Sequence, residues 1–154
     1  MLALAKKKGQ GPTTAGVSRL GLPEVSAFLW ETANGEICLG ETFLSGGLAK
    51  LQCPAGASRP KSGSMVATRF GASMVGDGAR VVVVVDHKAK VESVEFRGSE
   101  ANWHFLRTLS PELSGRDVYY IVINTYPDRP DDQLDLTLKV GTEQVTDHIS
   151  VAWD

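Results

Sequence analysis

The chain has 154 residues, a length that a single domain accommodates with a core burying roughly two thirds of the unfolded surface. Its 16 basic and 18 acidic residues leave a formal net charge of −2, which excludes a nucleic-acid binder that works through a uniformly basic groove. No apolar run approaches the roughly 20 residues of a helical membrane span, so no membrane partner is expected.

Residues 1–23 carry Lys6, Lys7, Lys8 and Arg19 and no acidic residue. Gly and Pro punctuate this stretch and no hydrophobic period runs through it, so it reads as an extended N-terminal arm that finds order only on a partner. Four such charges offer sequence-independent attraction to phosphate, which suits a single-stranded nucleic acid. The apolar residues 1–5 precede the lysines, the reverse of a signal peptide, and the chain reads as one kept in a reducing compartment.

From residue 24 to 154 the pattern is one of closely spaced strands. Val25 to Glu31, Glu36 to Leu44 and Leu48 to Cys53 come first, with Asn34-Gly35 as a type I′ hairpin signal because both residues tolerate positive φ. Cys38 and Cys53 fall within these strands and read as small buried hydrophobes, with a disulfide between them as the alternative. The loop from Pro54 to Ser64 holds Arg59 and Lys61, and reads either as a solvated basic loop or as a contact to phosphate or a neighbouring subunit. Met65 to Phe70 follows. Val81 to Val85 is an unbroken β-branched run, the signature of a central strand buried on both faces. Val91 to Arg97 is a further strand.

One short helix is expected from about Ser99 to Leu109, with Ser99 as its cap, Trp103, Leu106 and Leu109 on one face, and Ser110-Pro111 as its stop. Strands at Val118 to Thr125, Leu134 to Val140 and Ile149 to Asp154 complete about nine. The fold class is therefore all-β: an antiparallel β-sandwich of jelly-roll type.

Chemistry-bearing clusters are few. Asp128, Asp131, Asp132 and Asp135 crowd into eight residues, either as a charged turn or as a candidate Ca²⁺ site between subunits, since a divalent ion or an Arg relieves such repulsion. His87, His104 and His148 lack the spacing that places two imidazoles on one metal. No nucleophile elbow, P-loop or dinucleotide fingerprint occurs, and no catalytic residue or other cofactor is expected. Tyr119, Tyr120, Tyr126, Trp30, Trp103 and Trp153 read as core or sheet-face aromatics, with a base-stacking platform as the alternative.

A basic arm, then Gly9-Gln10-Gly11-Pro12-Thr13-Thr14-Ala15-Gly16, then about 130 residues of β-sandwich resembles the coat proteins of small icosahedral RNA viruses, tombus-like, sobemo-like and satellite viruses among them. The resemblance is one of layout. It implies a self-assembling capsid protein in a virion assembled in host cytoplasm, a large homo-oligomer with Lys6, Lys7, Lys8 and Arg19 facing single-stranded RNA. It also implies structural Ca²⁺ at subunit contacts near Asp128 to Asp135. The rival is a non-catalytic β-sandwich binding or phage accessory module. A remote third follows from Ser58-Arg59-Pro60-Lys61-Ser62-Gly63-Ser64, which loosely resembles the phosphate-contacting Pro-Arg-Ser motif of dUTPases.

Overall fold

The computed structural model describes residues 1–22, 25–43, 48–54, 66–70, 73–75, 77–86, 88–109 and 115–151. Among the described residues one helix, α1 (Leu2–Lys7), precedes thirteen strands: β1 (Ser18–Leu20), β2 (Val25–Glu31), β3 (Ile37–Phe43), β4 (Leu48–Gln52), β5 (Val66–Arg69), β6 (Ser73–Val75), β7 (Gly78–Val85), β8 (Ala89–Phe96), β9 (Ser99–Glu100), β10 (Asn102–Thr108), β11 (Asp117–Ile123), β12 (Gln133–Val140) and β13 (Glu143–Ser150). They form an outer sheet β1-β2-β3-β4, a central sheet β10-β11-β7-β5 with β6 also on β7, and a second outer sheet β13-β12-β8-β9. Every pairing is antiparallel. The expected all-β sandwich is thus observed, with three sheets where a jelly roll has two.

The valine run explains why the central sheet can be central. Successive side chains of a strand point to opposite faces. Val81, Val83 and Val85 join Tyr119 and Ile121 against Val94, Leu134, Leu136 and Leu138 of the β13-β12-β8-β9 sheet. Val82 and Val84 face the other way, onto Leu29, Ile37 and Leu39 of the β1-β2-β3-β4 sheet. All of β7 is buried, and each valine so placed contributes roughly 1.5–3 kcal/mol. A half-wet strand cannot have this sequence.

On β8 the apolar spacing slips from two to three between Val91 and Val94. A bulge there, opposite Thr137 and Leu138, lets both valines face the core. The β2–β3 hairpin forms at Asn34-Gly35 but not as type I′. Gly35 alone takes positive φ (75°) and its N–H reaches the Thr32 carbonyl at 2.9 Å, the type I turn of a three-residue loop.

Four further expectations are corrected. The segment expected as a helix, Ser99 to Leu109, is strand. Trp103, His104 and Phe105 suit a pleated surface, and β10 gains a full ladder to β11, which outweighs a cap and an i, i+3 face. The chain changes sheets at buried Ala101, whose N–H is held by the Val94 carbonyl at 2.8 Å. The last strand lies earlier than expected, at 143–150, because an edge strand with a polar face shows little alternation; Ala152, Trp153 and Asp154 lie outside the described residues.

The third and fourth corrections concern the arm and the cysteines. Residues 1–20 are folded back on the body rather than extended. The α1 helix covers the outer face of the β1-β2-β3-β4 sheet, with Ala5 fully buried beside Trp30 and Cys38. Trp30 Nε1 donates to the Gln10 carbonyl at 2.7 Å, and Thr13 N–H to the Glu31 carbonyl at 3.0 Å. A six-residue helix is too short to stand alone, so this packing is what holds it. Cys38 and Cys53 are a disulfide, not free thiols. The β3–β4 ladder, which pairs Leu39 with Gln52, continues to set Cys38 opposite Cys53 with Cα atoms 4.3 Å apart. Among the described residues no helix is long and apolar enough to cross a membrane.

Candidate interaction surfaces

The structure keeps the expected basic residues on one side of the molecule. Lys6, Lys7 and Lys8 are exposed at the C-terminal end of α1, where cations also oppose the helix dipole. Arg19 is exposed on β1 between inward-facing Ser18 and Leu20. It pairs across the ladder with Phe28, which packs beneath α1, so Arg19 shares the outer face with the helix. Its carbonyl accepts a hydrogen bond from Arg107 Nη1 at 2.9 Å, which caps the β1 edge and brings a fifth cation to that corner. Arg59 and Lys61 lie outside the described residues, as does His87.

The four aspartates do not converge on one point. Buried Asp132 accepts two hydrogen bonds from Arg97, from Nε and Nη2, both at 2.7 Å, and one from the Arg129 backbone N–H at 2.9 Å. Asp128 also bonds the Arg97 guanidinium. Asp135 pairs with His148 at 2.6 Å across β12 and β13, and Asp131 is exposed. The repulsion is relieved by an arginine of the same chain. Hydrogen bonds from Arg97 are the leading cause that holds both Asp132 and Asp128 below the usual carboxylate range, and those same bonds raise the Arg97 pKa. Among the described residues, no group of three or more His, Cys, Asp or Glu is placed to hold a metal ion.

Arg97 was not among the sequence candidates, and its signal is local. Arg97-Gly98 joins β8 to β9 with φ of 52° and 72°, both positive, as a type I′ turn requires. Arginine tolerates this conformation less well than Asn. Its side chain is held over the Phe96 ring at 4.9 Å while it grips the 128–132 turn.

Two more features were not legible in the sequence. Between the β1-β2-β3-β4 and central sheets, Arg80 Nη2 meets Glu41 Oε1 at 3.0 Å with both side chains nearly fully buried, and Ser73 donates to Glu41 Oε2 at 3.1 Å. Lys50, opposite Glu41 on β4, is half-buried; burial lowers its pKa and Glu41 opposes that shift. This ion pair registers one sheet on the other and is closed to solvent.

The second feature is β10, whose outer side has no strand beside it among the described residues. The Trp103 and Phe105 rings stand edge-on to Tyr119 at 5.8 and 5.5 Å, and on the other face His104 stacks on Tyr120 at 4.7 Å. Phe105 remains 53% exposed. Burial raises the Tyr119 phenol pKa, as expected for a ring that packs on the core. Comparison with known protein families, curated proteins and solved structures finds no match.

Proposed function

We propose that this chain is a structural protein that acts by self-association, of the coat-protein kind its layout resembles, and that it contacts single-stranded nucleic acid through Lys6, Lys7 and Lys8. The observation that carries the reading is the long strand edge of β10, with no strand beside it among the described residues, on a stack whose central sheet is otherwise covered on both faces. Open edges present rows of unpaired backbone donors and acceptors, and neighbouring copies are one way to cover them. The docked α1 helix supports the second half of the reading, because it displays three lysines from an anchored platform rather than a loose tail.

Light scattering of the purified protein with and without RNA tests the assembly. Particles far larger than a monomer are expected, and a monomer under both conditions ends the reading. For RNA contact, each neutralised phosphate on a single strand adds roughly −0.7 to the slope of log affinity against log salt. Changing Lys6, Lys7 and Lys8 to Ala should flatten that slope by about 2. An unchanged slope in the triple variant removes the lysines from the interface.

A second reading, the non-catalytic binding or accessory module, is favoured by the Cys38–Cys53 disulfide. Such bridges persist in oxidising environments and are rare in cytosolic proteins. It requires a monomer or small oligomer, so the same scattering experiment separates the two.

A further inference from the structure

The two long edges differ in chemistry. β13 carries Glu143, Asp147 and His148 together with Gln144, Thr146 and Ser150, and charged or polar side chains of this kind blunt edge-to-edge pairing. β10 carries Asn102, Trp103, His104, Phe105 and Leu106, with no Asp, Glu, Lys or Arg before Arg107. Its aromatic side chains are already held by Tyr119 and Tyr120, so little side-chain freedom remains to be lost when another strand arrives.

The order aromatic-His-aromatic at Trp103-His104-Phe105 reads the same in both directions. An antiparallel pairing of two identical strands about a two-fold axis normal to the sheet keeps each side chain on its own face. Centred on His104, that axis sets Trp103 opposite the second copy's Phe105, and Phe105 opposite its Trp103. Two equal aromatic pairs form above the two Tyr119 rings, and Asn102 lies opposite Leu106. A second copy supplies this match twice. The bulge between Phe105 and Arg107 ends the straight part of the ladder there, which confines the pairing to this short symmetric stretch.

We propose that two copies of the chain pair β10 with β10 about a two-fold axis at His104, which merges two five-stranded central sheets into one of ten strands. This deepens the self-association reading above by naming its first contact. Phe105, half-exposed in the single chain, becomes buried in the pair.

Sedimentation equilibrium of the full chain over a micromolar range tests the pairing, together with two variants. Phe105→Lys should weaken dimerisation at least tenfold while the far-ultraviolet spectrum stays that of the parent, since the residue is not part of the core. His104→Cys should form a disulfide-linked dimer under mild oxidation, because residues directly opposite on antiparallel strands have Cα atoms about 4.5–5.5 Å apart. Asn102→Cys, opposite Leu106, should not. A parent that sediments as a monomer throughout overturns the pairing. Large particles that form equally well with Phe105→Lys, with no His104→Cys cross-link, keep the shell reading and overturn the β10 contact. A dimer that cross-links at His104 and builds nothing larger keeps the contact and ends the shell reading.

Discussion

Replacing Glu41 with Leu takes away the carboxylate that neutralises Arg80 between two sheets, where the two side chains are only 4% and 6% exposed. Solvent does little to screen a charge so placed, and removing one partner of a buried pair costs about 3–5 kcal/mol. At about 2–4 °C per kcal/mol for a chain of this size, the melting midpoint should fall by roughly 6–20 °C. Arg80→Met should cost a similar amount, because Glu41 would then be buried without its guanidinium partner, beside the Ser73 hydroxyl and the nearby Lys50 charge. The double variant Glu41→Leu with Arg80→Met removes both charges and roughly keeps the volume. Lys50 then loses one attraction and one repulsion together. The double variant should therefore recover most of the loss and lie within about 1–2 kcal/mol of the parent. Urea and thermal unfolding followed by circular dichroism give the four stabilities of the cycle. If Glu41→Leu alone costs less than about 1 kcal/mol, or if the double variant equals the sum of the singles, the pair does not hold the sheets in register and the reasoning fails.

Reduction of Cys38–Cys53, or Cys53→Ala, frees a loop with a sequence separation of 15. It should cost about 3 kcal/mol and lower the melting midpoint by roughly 6–12 °C, and an unchanged midpoint in reductant refutes a stabilising bridge. Asp128 and Asp132 have folded pKa values below their unfolded ones, so their contribution is complete above about pH 4 and disappears as pH falls through the lower folded values. Arg97→Gln should flatten that acid limb in urea unfolding between pH 7 and pH 2; a parallel limb means that Arg97 does not hold the turn. A Cβ on Gly78 would lie 1.9 Å from the Ile123 carbonyl oxygen, a backbone atom that cannot swing aside, whereas one on Gly40 meets chiefly the flexible end of Met1. Gly78→Ala should cost about 2 kcal/mol or more and exceed Gly40→Ala, and the reverse order of midpoints would contradict this placement of β7 against β11.

Much of the sheet structure is legible in local pattern. Alternation at Leu134, Leu136 and Leu138 marks a strand with one wet face, and five consecutive valines mark one with none, because side-chain direction along a strand is set by the backbone alone. What local pattern cannot encode is which distant surface completes a segment. Residues 99–109 carry both a helical spacing and aromatic strand formers, and pairing with β11 decides between them. The N-terminal stretch has too little apolar surface to fold alone, yet Trp30 and Cys38 supply the neighbours against which Ala5 is buried. The 128–135 aspartates read alone invite a cation. Arg97, at least 31 residues away in sequence, is the cation that the fold delivers to Asp128 and Asp132. The bridge at Cys38 exists because β3 and β4 happen to register it on Cys53. In each case the deciding contact is non-local. Its free energy comes from burial and pairing that appear only once the chain has closed the loop between the two partners.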